Sequence, residues 1–194
     1  LVLSFTPKGP LSRTRRLLDA WLARRRAADA ELQVDEVDLV NTALPPVDGP
    51  VALAKGSVAA GSLLAPTQQR AWDAITPWAK EFLAADEVAL AAPMWNFGLP
   101  YPVKHYLDVV LQPGLLFRYT AHGPQGLCGG KPLTLITTRG SAYADLPQVN
   151  FQTSYLRWLC TFIDCRYDEV VAEGLDVRGP EAGEQALADR IARL

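Results

Sequence analysis

The stretch Val88-Ala-Leu-Ala-Ala-Pro93 decides how this chain is read. Five apolar residues run without interruption and stop at a proline. A strand with one wet face would alternate apolar and polar side chains, and this one does not. It reads as a strand buried on both faces, the habit of parallel sheets covered by helices on either side. Similar runs lie before and after it. Val2, Leu3 and Phe5 end at Pro7, Gly9 and Pro10. Val34, Val37, Leu39 and Val40 form a second run, Leu133 to Thr137 a fourth, and Tyr167, Val170 and Val171 a fifth.

The segments between these runs have helical spacing. Leu17, Leu18, Trp21 and Leu22 share one face of a helix opened by Ser12. Thr67 can cap the helix whose inward face is Ala71, Trp72, Ile75, Trp78, Phe82 and Leu83. Pro77 predicts a kink or break in it near Thr76. Pro100 and Pro102 stand where another helix starts, Val103, Tyr106, Leu107 and Val110 continue it, and Pro113 and Gly114 stop it. A helix from about Val149 to Phe162 turns Tyr155, Leu156, Leu159 and Phe162 inward. A last one from Glu181 to Leu194 turns Ala186, Leu187, Ile191 and Leu194 inward. The segment 41–66 has no firm period and is functional or partly helical. Leu115 to Gly130 reads as an excursion from the repeating pattern.

Strands alternating with helices give right-handed βαβ units and a parallel sheet with helices on both faces. About five strands in a chain of 194 residues favour the flavodoxin-like order 2-1-3-4-5 in a single domain spanning 1–194. Composition narrows the function. A net charge of -2 argues against nucleic-acid binding, which needs a basic face. No apolar run approaches the roughly 20 residues that span a bilayer. No signal-peptide pattern is visible, and a few residues are expected ahead of Leu1. Cys128, Cys160 and Cys165 cannot pair completely, so reduced, mostly buried thiols in a cytoplasmic protein are expected. His105 and His122 lie far from each other and from any cysteine at ligand spacing, which argues against a transition-metal site. His105 reads as a surface or hydrogen-bonded mid-helix residue, and His122 lies in the excursion.

In a sheet of this order, ligands bind beyond the carboxyl ends of the strands at the switch point. That rule selects three loops: Ser4 to Thr14, Pro93 to Leu99, and Thr138 to Tyr143. In the first, Thr6, Ser12 and Thr14 bring hydroxyls to a helix start with unpaired N–H groups, an anion site suited to phosphate. Arg13, Arg15 and Arg16 crowd that same first turn, where each cation is unfavourable by about 0.3–1 kcal/mol unless an anion is bound. Simple N-capping by Ser12 with solvated arginines is the other reading. The run Gly126-Leu-Cys-Gly-Gly-Lys-Pro132 is not a triphosphate loop, because its spacing is wrong and it precedes a strand. A Gly-x-Gly-x-x-Gly fingerprint is also missing. A phosphate held by hydroxyls and a helix end suggests a mononucleotide such as FMN.

In the second loop, Pro93, Met94, Trp95, Asn96 and Phe97 offer a flat apolar wall and hydrogen-bonding groups for the flavin ring. In the third, Thr138 and Ser141 add hydroxyls, Gly140 permits close backbone approach, and Tyr143 adds an aromatic. Arg139 either favours an electron-rich reduced flavin or forms a surface salt bridge.

These residues are recognisable together. The runs Ala91-Ala-Pro-Met-Trp-Asn-Phe97, Phe117-Arg-Tyr-Thr120 with Gly123-Pro-Gln-Gly-Leu127, Gly130-Lys131, and Ile136-Thr-Thr-Arg-Gly140 resemble the FMN-dependent NADH-azoreductases of the flavodoxin-like quinone reductase superfamily. The resemblance covers nearly the whole chain. It implies bound FMN, a homodimer, and hydride transfer from NADH through the flavin to a quinone or azo compound in a ping-pong cycle. By position, Thr6, Ser12, Arg13 and Thr14 match the family's phosphate loop. Met94 to Phe97 match its flavin-ring loop, and Thr138, Arg139, Gly140 and Ser141 its third loop. Tyr119 matches a substrate-pocket residue. Thr6 stands where serine is common, Trp95 where tyrosine is usual, and Tyr143 where some members have histidine. The flavin carries the chemistry, so no protein acid or base is assigned. The rival readings are an FMN electron carrier without its own NADH oxidation and a flavin-free structural relative.

Overall fold

Helices and strands alternate along the computed structural model, which describes residues 1–143 and 146–194. In chain order they are β1 (Val2–Ser4), α1 (Arg13–Ala28), β2 (Glu36–Asp38), α2 (Gly49–Ala59), α3 (Pro66–Ala84), β3 (Val88–Ala91) and α4 (Tyr101–Val110). There follow β4 (Phe117–Thr120), β5 (Gly123–Gly126), β6 (Lys131–Thr138), α5 (Phe151–Ile163), β7 (Cys165–Ala172) and α6 (Pro180–Ala192). The main sheet is five-stranded and parallel, in the order β2-β1-β3-β6-β7. The excursion accounts for the numbering. It folds into the antiparallel hairpin β4–β5, so the places expected for a fourth and fifth strand go to β6 and β7.

Alternate residues of each strand feed two separate cores. Leu3, Val88, Leu90, Leu133 and Leu135 pack with Ile75, Phe82, Val103, Tyr106 and Leu156 from α3, α4 and α5. Val2, Ala89, Ala91 and Ile136 pack with Leu17, Leu18, Leu22 and Leu187 from α1 and α6. Burial on both faces is why β3 reads as an unbroken apolar run.

One local expectation is met, that 41–66 is partly helical, and two are corrected. The segment 41–66 contains α2, capped by Asp48, whose side chain accepts from the Val51 N–H. Thr67 is not a cap. Ala65 holds that position, Pro66 starts the helix, and the Gln68 side chain accepts from the Ala65 N–H at 2.8 Å. Finally, α3 runs unbroken across Pro77. Pro77 and Asp73 both face solvent, so the carbonyl that loses its donor can turn to water. Cys128 and Cys160 are buried free thiols and Cys165 is half-buried.

Candidate functional site

The carboxyl ends of β1, β3 and β6 open onto a hollow of about 640 Å³. Its walls include Ser12, Arg13 and Thr14 of the first loop, Pro93, Met94 and Trp95 of the second, and Thr138, Arg139 and Gly140 of the third. Thr6 is buried and lines a neighbouring hollow beside Pro7, Gly9 and Arg15. The switch-point rule thus selects loops that the fold brings together.

The first loop delivers α1 with its N-terminus at the hollow. Ser12 is the N-cap, its Oγ accepting from the Arg15 N–H at 3.3 Å. Among the described residues, the N–H groups of Arg13 and Thr14 meet no acceptor, as expected in a first helical turn. Thr14 is buried, and its Oγ1 lies 2.6 Å from Thr138 Oγ1, tying the first loop to the third.

The arginines differ from the sequence reading: they are already matched by carboxylates. Arg13 pairs with Asp176 at 2.7 Å and Glu184 at 3.0 Å, Arg16 with Glu184, and Arg15 with Asp19 and Glu36. The Glu184 carboxyl is held below its ordinary value by Arg16 and then by Arg13. The crowding of cations in this turn therefore does not itself demand a bound anion. Asp176 and Glu184 lie more than 160 residues from Arg13 in sequence, and no local pattern reveals them. Gly183 is a detectable companion. A Cβ there would stand 1.9 Å from the Leu175 carbonyl oxygen, so only glycine lets α6 approach closely enough to deliver Glu184.

The second loop is a tight turn. Trp95 and Gly98 exchange backbone hydrogen bonds at 3.1 and 2.9 Å, and Asn96 and Phe97 both have positive φ, 47° and 68°. Two consecutive positive φ values make a type I′ turn. Asn tolerates this conformation, whereas Phe pays for it in strain. The turn displays Trp95 and Phe97, 42% and 51% exposed. The Trp95 ring meets Phe5 edge-on at 5.1 Å, and Phe97 meets Tyr143 at 6.4 Å.

The third loop refines two expectations. Arg139 is 4% exposed, and its guanidinium is bonded to α5 beneath the loop. Its guanidinium donates to Gln152 Oε1, Thr153 Oγ1 and Glu173 Oε2, the last an ion pair at 3.5 Å, so the salt-bridge reading holds with Arg139 itself buried. Gly140 does permit a close approach, but of Asp176. A Cβ there would stand 2.6 Å from Asp176 Oδ2. Ser141 is exposed, and its carbonyl accepts from the Gly174 N–H.

The remaining candidates lie apart. Tyr119 is exposed on β4 and lines neither this hollow nor the larger one beside it, which is bounded by Pro46, Val47, Trp95, Tyr101 and His105. His122 is exposed in the β4–β5 turn, and His105 Nε2 is hydrogen-bonded to the Pro45 carbonyl at 2.8 Å. The sequence reading missed Gln152, which is fully buried under the second and third loops.

A phosphate monoester fits this donor set. Hydroxyls and free N–H groups converge at a helix start, in a hollow large enough for a mononucleotide. Comparison with known proteins agrees with the fold. The flavodoxin-like fold family matches residues 1–194. The chain is 38% identical over 190 residues to an FMN-dependent NADH:quinone oxidoreductase of Shewanella amazonensis, covering 97% of this chain and 93% of that one. It is 39% identical over 157 residues to one from Ruegeria pomeroyi, covering 79% and 77%. The structure of an azoreductase from Bacillus anthracis superposes with a TM-score of 0.87 at 26% identity, covering 99% of this chain and 94% of that one. The chain therefore belongs to the flavodoxin-like fold family, alongside the FMN-dependent NADH:quinone oxidoreductases it resembles over most of its length.

Proposed function

We propose that this protein is an FMN-dependent NADH:quinone oxidoreductase that also reduces azo compounds, built as one FMN-binding domain spanning 1–194. The observation that carries the reading is the switch-point hollow, where the open N-terminus of α1 and two other loops converge and Thr14 is bonded to Thr138. The names of the relatives and of the azoreductase structure support the same activity.

Ser12, Thr14 and the free N–H groups of α1 hold the FMN phosphate, with Thr6 flanking them. Arg13 shapes this loop through Asp176 and Glu184. Met94, Trp95, Asn96 and Phe97 face the ring system, with the Pro93 carbonyl anchored behind them. Thr138, Gly140 and Ser141 form the opposite wall, and Arg139 braces it from beneath. When bound, FMN supplies two-electron hydride chemistry between NADH and a quinone or azo acceptor. The exposed rings of Trp95 and Phe97, with the half-buried Tyr143 beside them, give planar donor and acceptor molecules one apolar platform, which they occupy in turn. A homodimer is supported by Phe151 and Trp158, exposed on α5 at i, i+7 spacing. Tyr119 meets a substrate only where a second copy carries it to the neighbouring crevice. A cytoplasmic location is supported by three free thiols.

The test is a visible spectrum of the purified protein with added FMN, before and after NADH under anaerobic conditions. Bound yellow flavin that bleaches with NADH and recovers with a quinone is the expected result. Failure to take up FMN overturns the reading, and bound FMN that neither NADH nor NADPH bleaches leaves an electron carrier.

A further inference from the structure

Gln152 sits in the first turn of α5 with 0% of its surface exposed. A buried carboxamide is costly unless its polar atoms find partners, and these partners lie in or directly before two crevice loops. Nε2 donates to the Pro93 carbonyl at 3.2 Å and, at 3.5 Å, to that of Ala92. Oε1 accepts from Thr137 Oγ1 at 3.1 Å and Arg139 Nε at 3.3 Å. The partners fix which way the amide points, since the carbonyls only accept and the guanidinium only donates. The Gln152 backbone N–H, one of the free donors of α5, donates to the Phe97 carbonyl at 3.2 Å.

One residue thus fastens both ends of the segment Pro93–Phe97 and joins it to the start of the third loop. The segment between holds Phe97 at φ 68°. An aromatic residue keeps that conformation only where its surroundings over-determine it. An apolar side chain in place of Gln152 would fill the same volume and leave both loops without this link.

We propose that Gln152 is a positioning residue that holds the Trp95–Gly98 turn at the height and tilt the flavin ring requires. The proposal rests on the flavin reading of the crevice. It predicts that the carboxamide matters to the turn beyond its contribution to general stability.

The test compares Gln152→Met, which keeps the volume and drops both hydrogen-bonding ends, with Gln152→Glu, which keeps the acceptor and drops the donor to Pro93. Leu156→Ala serves as the control, a fully buried apolar position one turn further along the same helix, whose side chain has no hydrogen bond to lose. Amide hydrogen exchange of Trp95 and Gly98 is measured in the apoprotein, and the FMN dissociation constant and visible circular dichroism in the loaded protein. Both Gln152 variants are expected to speed exchange at these two amides about tenfold, raise the FMN dissociation constant about tenfold and alter the flavin dichroism. Leu156→Ala is expected to lower the melting temperature while leaving all three within twofold of the parent. Parental exchange rates in Gln152→Met, or equal changes in Leu156→Ala, overturn the proposal. A parent that exchanges slowly at the turn but takes up no FMN overturns the flavin reading instead, and the exchange comparison still decides whether Gln152 holds the turn.

Discussion

The two edges of the sheet treat their helix ends in opposite ways. At the amino edge, α3 ends against Lys131, whose Nζ donates to the carbonyls of Phe82, Leu83 and Ala85 at 2.8, 2.7 and 2.7 Å. The Leu1 backbone nitrogen nearby donates to the Glu87 carbonyl, and Arg25 pairs with the Glu87 carboxylate. A cation at a helix C-terminus faces the negative end of the macrodipole, so this end is closed by the protein itself. At the carboxyl edge, α1 begins with free N–H groups, while its arginines are occupied by carboxylates. The glycine-rich run ending in Lys131 looks superficially like a phosphate loop, yet its lysine is committed to a helix end. The donors left for a ligand at the other edge are chiefly the neutral hydroxyls and N–H groups, with the exposed Lys8 on the same wall. Free hydrogen-bonding capacity, more than formal charge, separates the functional edge from the structural one.

The largest effect should come from removing those neutral donors. In Ser12→Ala/Thr14→Ala, two hydrogen bonds to a charged phosphate are lost, each worth roughly 1.5–3 kcal/mol. FMN affinity should fall about 100-fold or more, read by flavin fluorescence titration. Unchanged affinity would reduce the first loop to a helix cap. Lys131→Met should break the other edge. Three charge-assisted bonds to carbonyls disappear at the α3 C-terminus, costing about 2–3 kcal/mol. The melting temperature should fall by roughly 4–12 °C at this chain length, with FMN affinity unchanged. A loss of FMN affinity with little loss of stability would abolish the distinction between the edges.

The same contrast explains what could be read from sequence. The central strand was legible because burial on two faces leaves an unmistakable apolar run at Val88–Ala92. The hydroxyls of Ser12 and Thr14 were legible because they stand beside a helix start. The hairpin β4–β5 was not, since Gly123, Pro124 and Gly126 are residues that strands disfavour and its pairing is local to the excursion. Helix α2 buries only Val51 and Ala54, too few to impose a period. Gln152 gave no signal because its importance lies in five partners from two distant loops. Asp176 and Glu184 gave none because ion pairs across 163 and 171 residues leave no spacing to detect. The arginine cluster was legible as a cluster, but its neutralisation was not.

That neutralisation can be tested at two carboxylates with smaller effects. Asp176→Asn releases Arg13 from one partner and removes a negative charge from the wall of the hollow. Asp176 is mostly exposed, so the pair is worth under about 1 kcal/mol. FMN should bind roughly threefold more tightly at low salt, with the gain screened at about 1 M. Weaker binding would mean that Asp176 matters more for orienting Arg13 than for its charge.

The smallest effect concerns pH. Glu184 has its carboxyl lowered in the folded state by Arg16 and Arg13. A depressed folded value stabilises the protein above the unfolded value, near 4.5, and that contribution is lost as pH falls through the folded value. The parent should therefore melt slightly above Glu184→Gln at neutral pH, with the difference closing as pH drops below about 4. High salt should close it as well, because Glu184 is half exposed and its pairs are open to screening. A difference that survives at low pH and in high salt would show that Glu184 acts by fixing α6 beside Leu175, in the close packing that Gly183 allows. The arginines of α1 would then be free to meet an incoming phosphate, and the carboxyl edge would be charged as well as open.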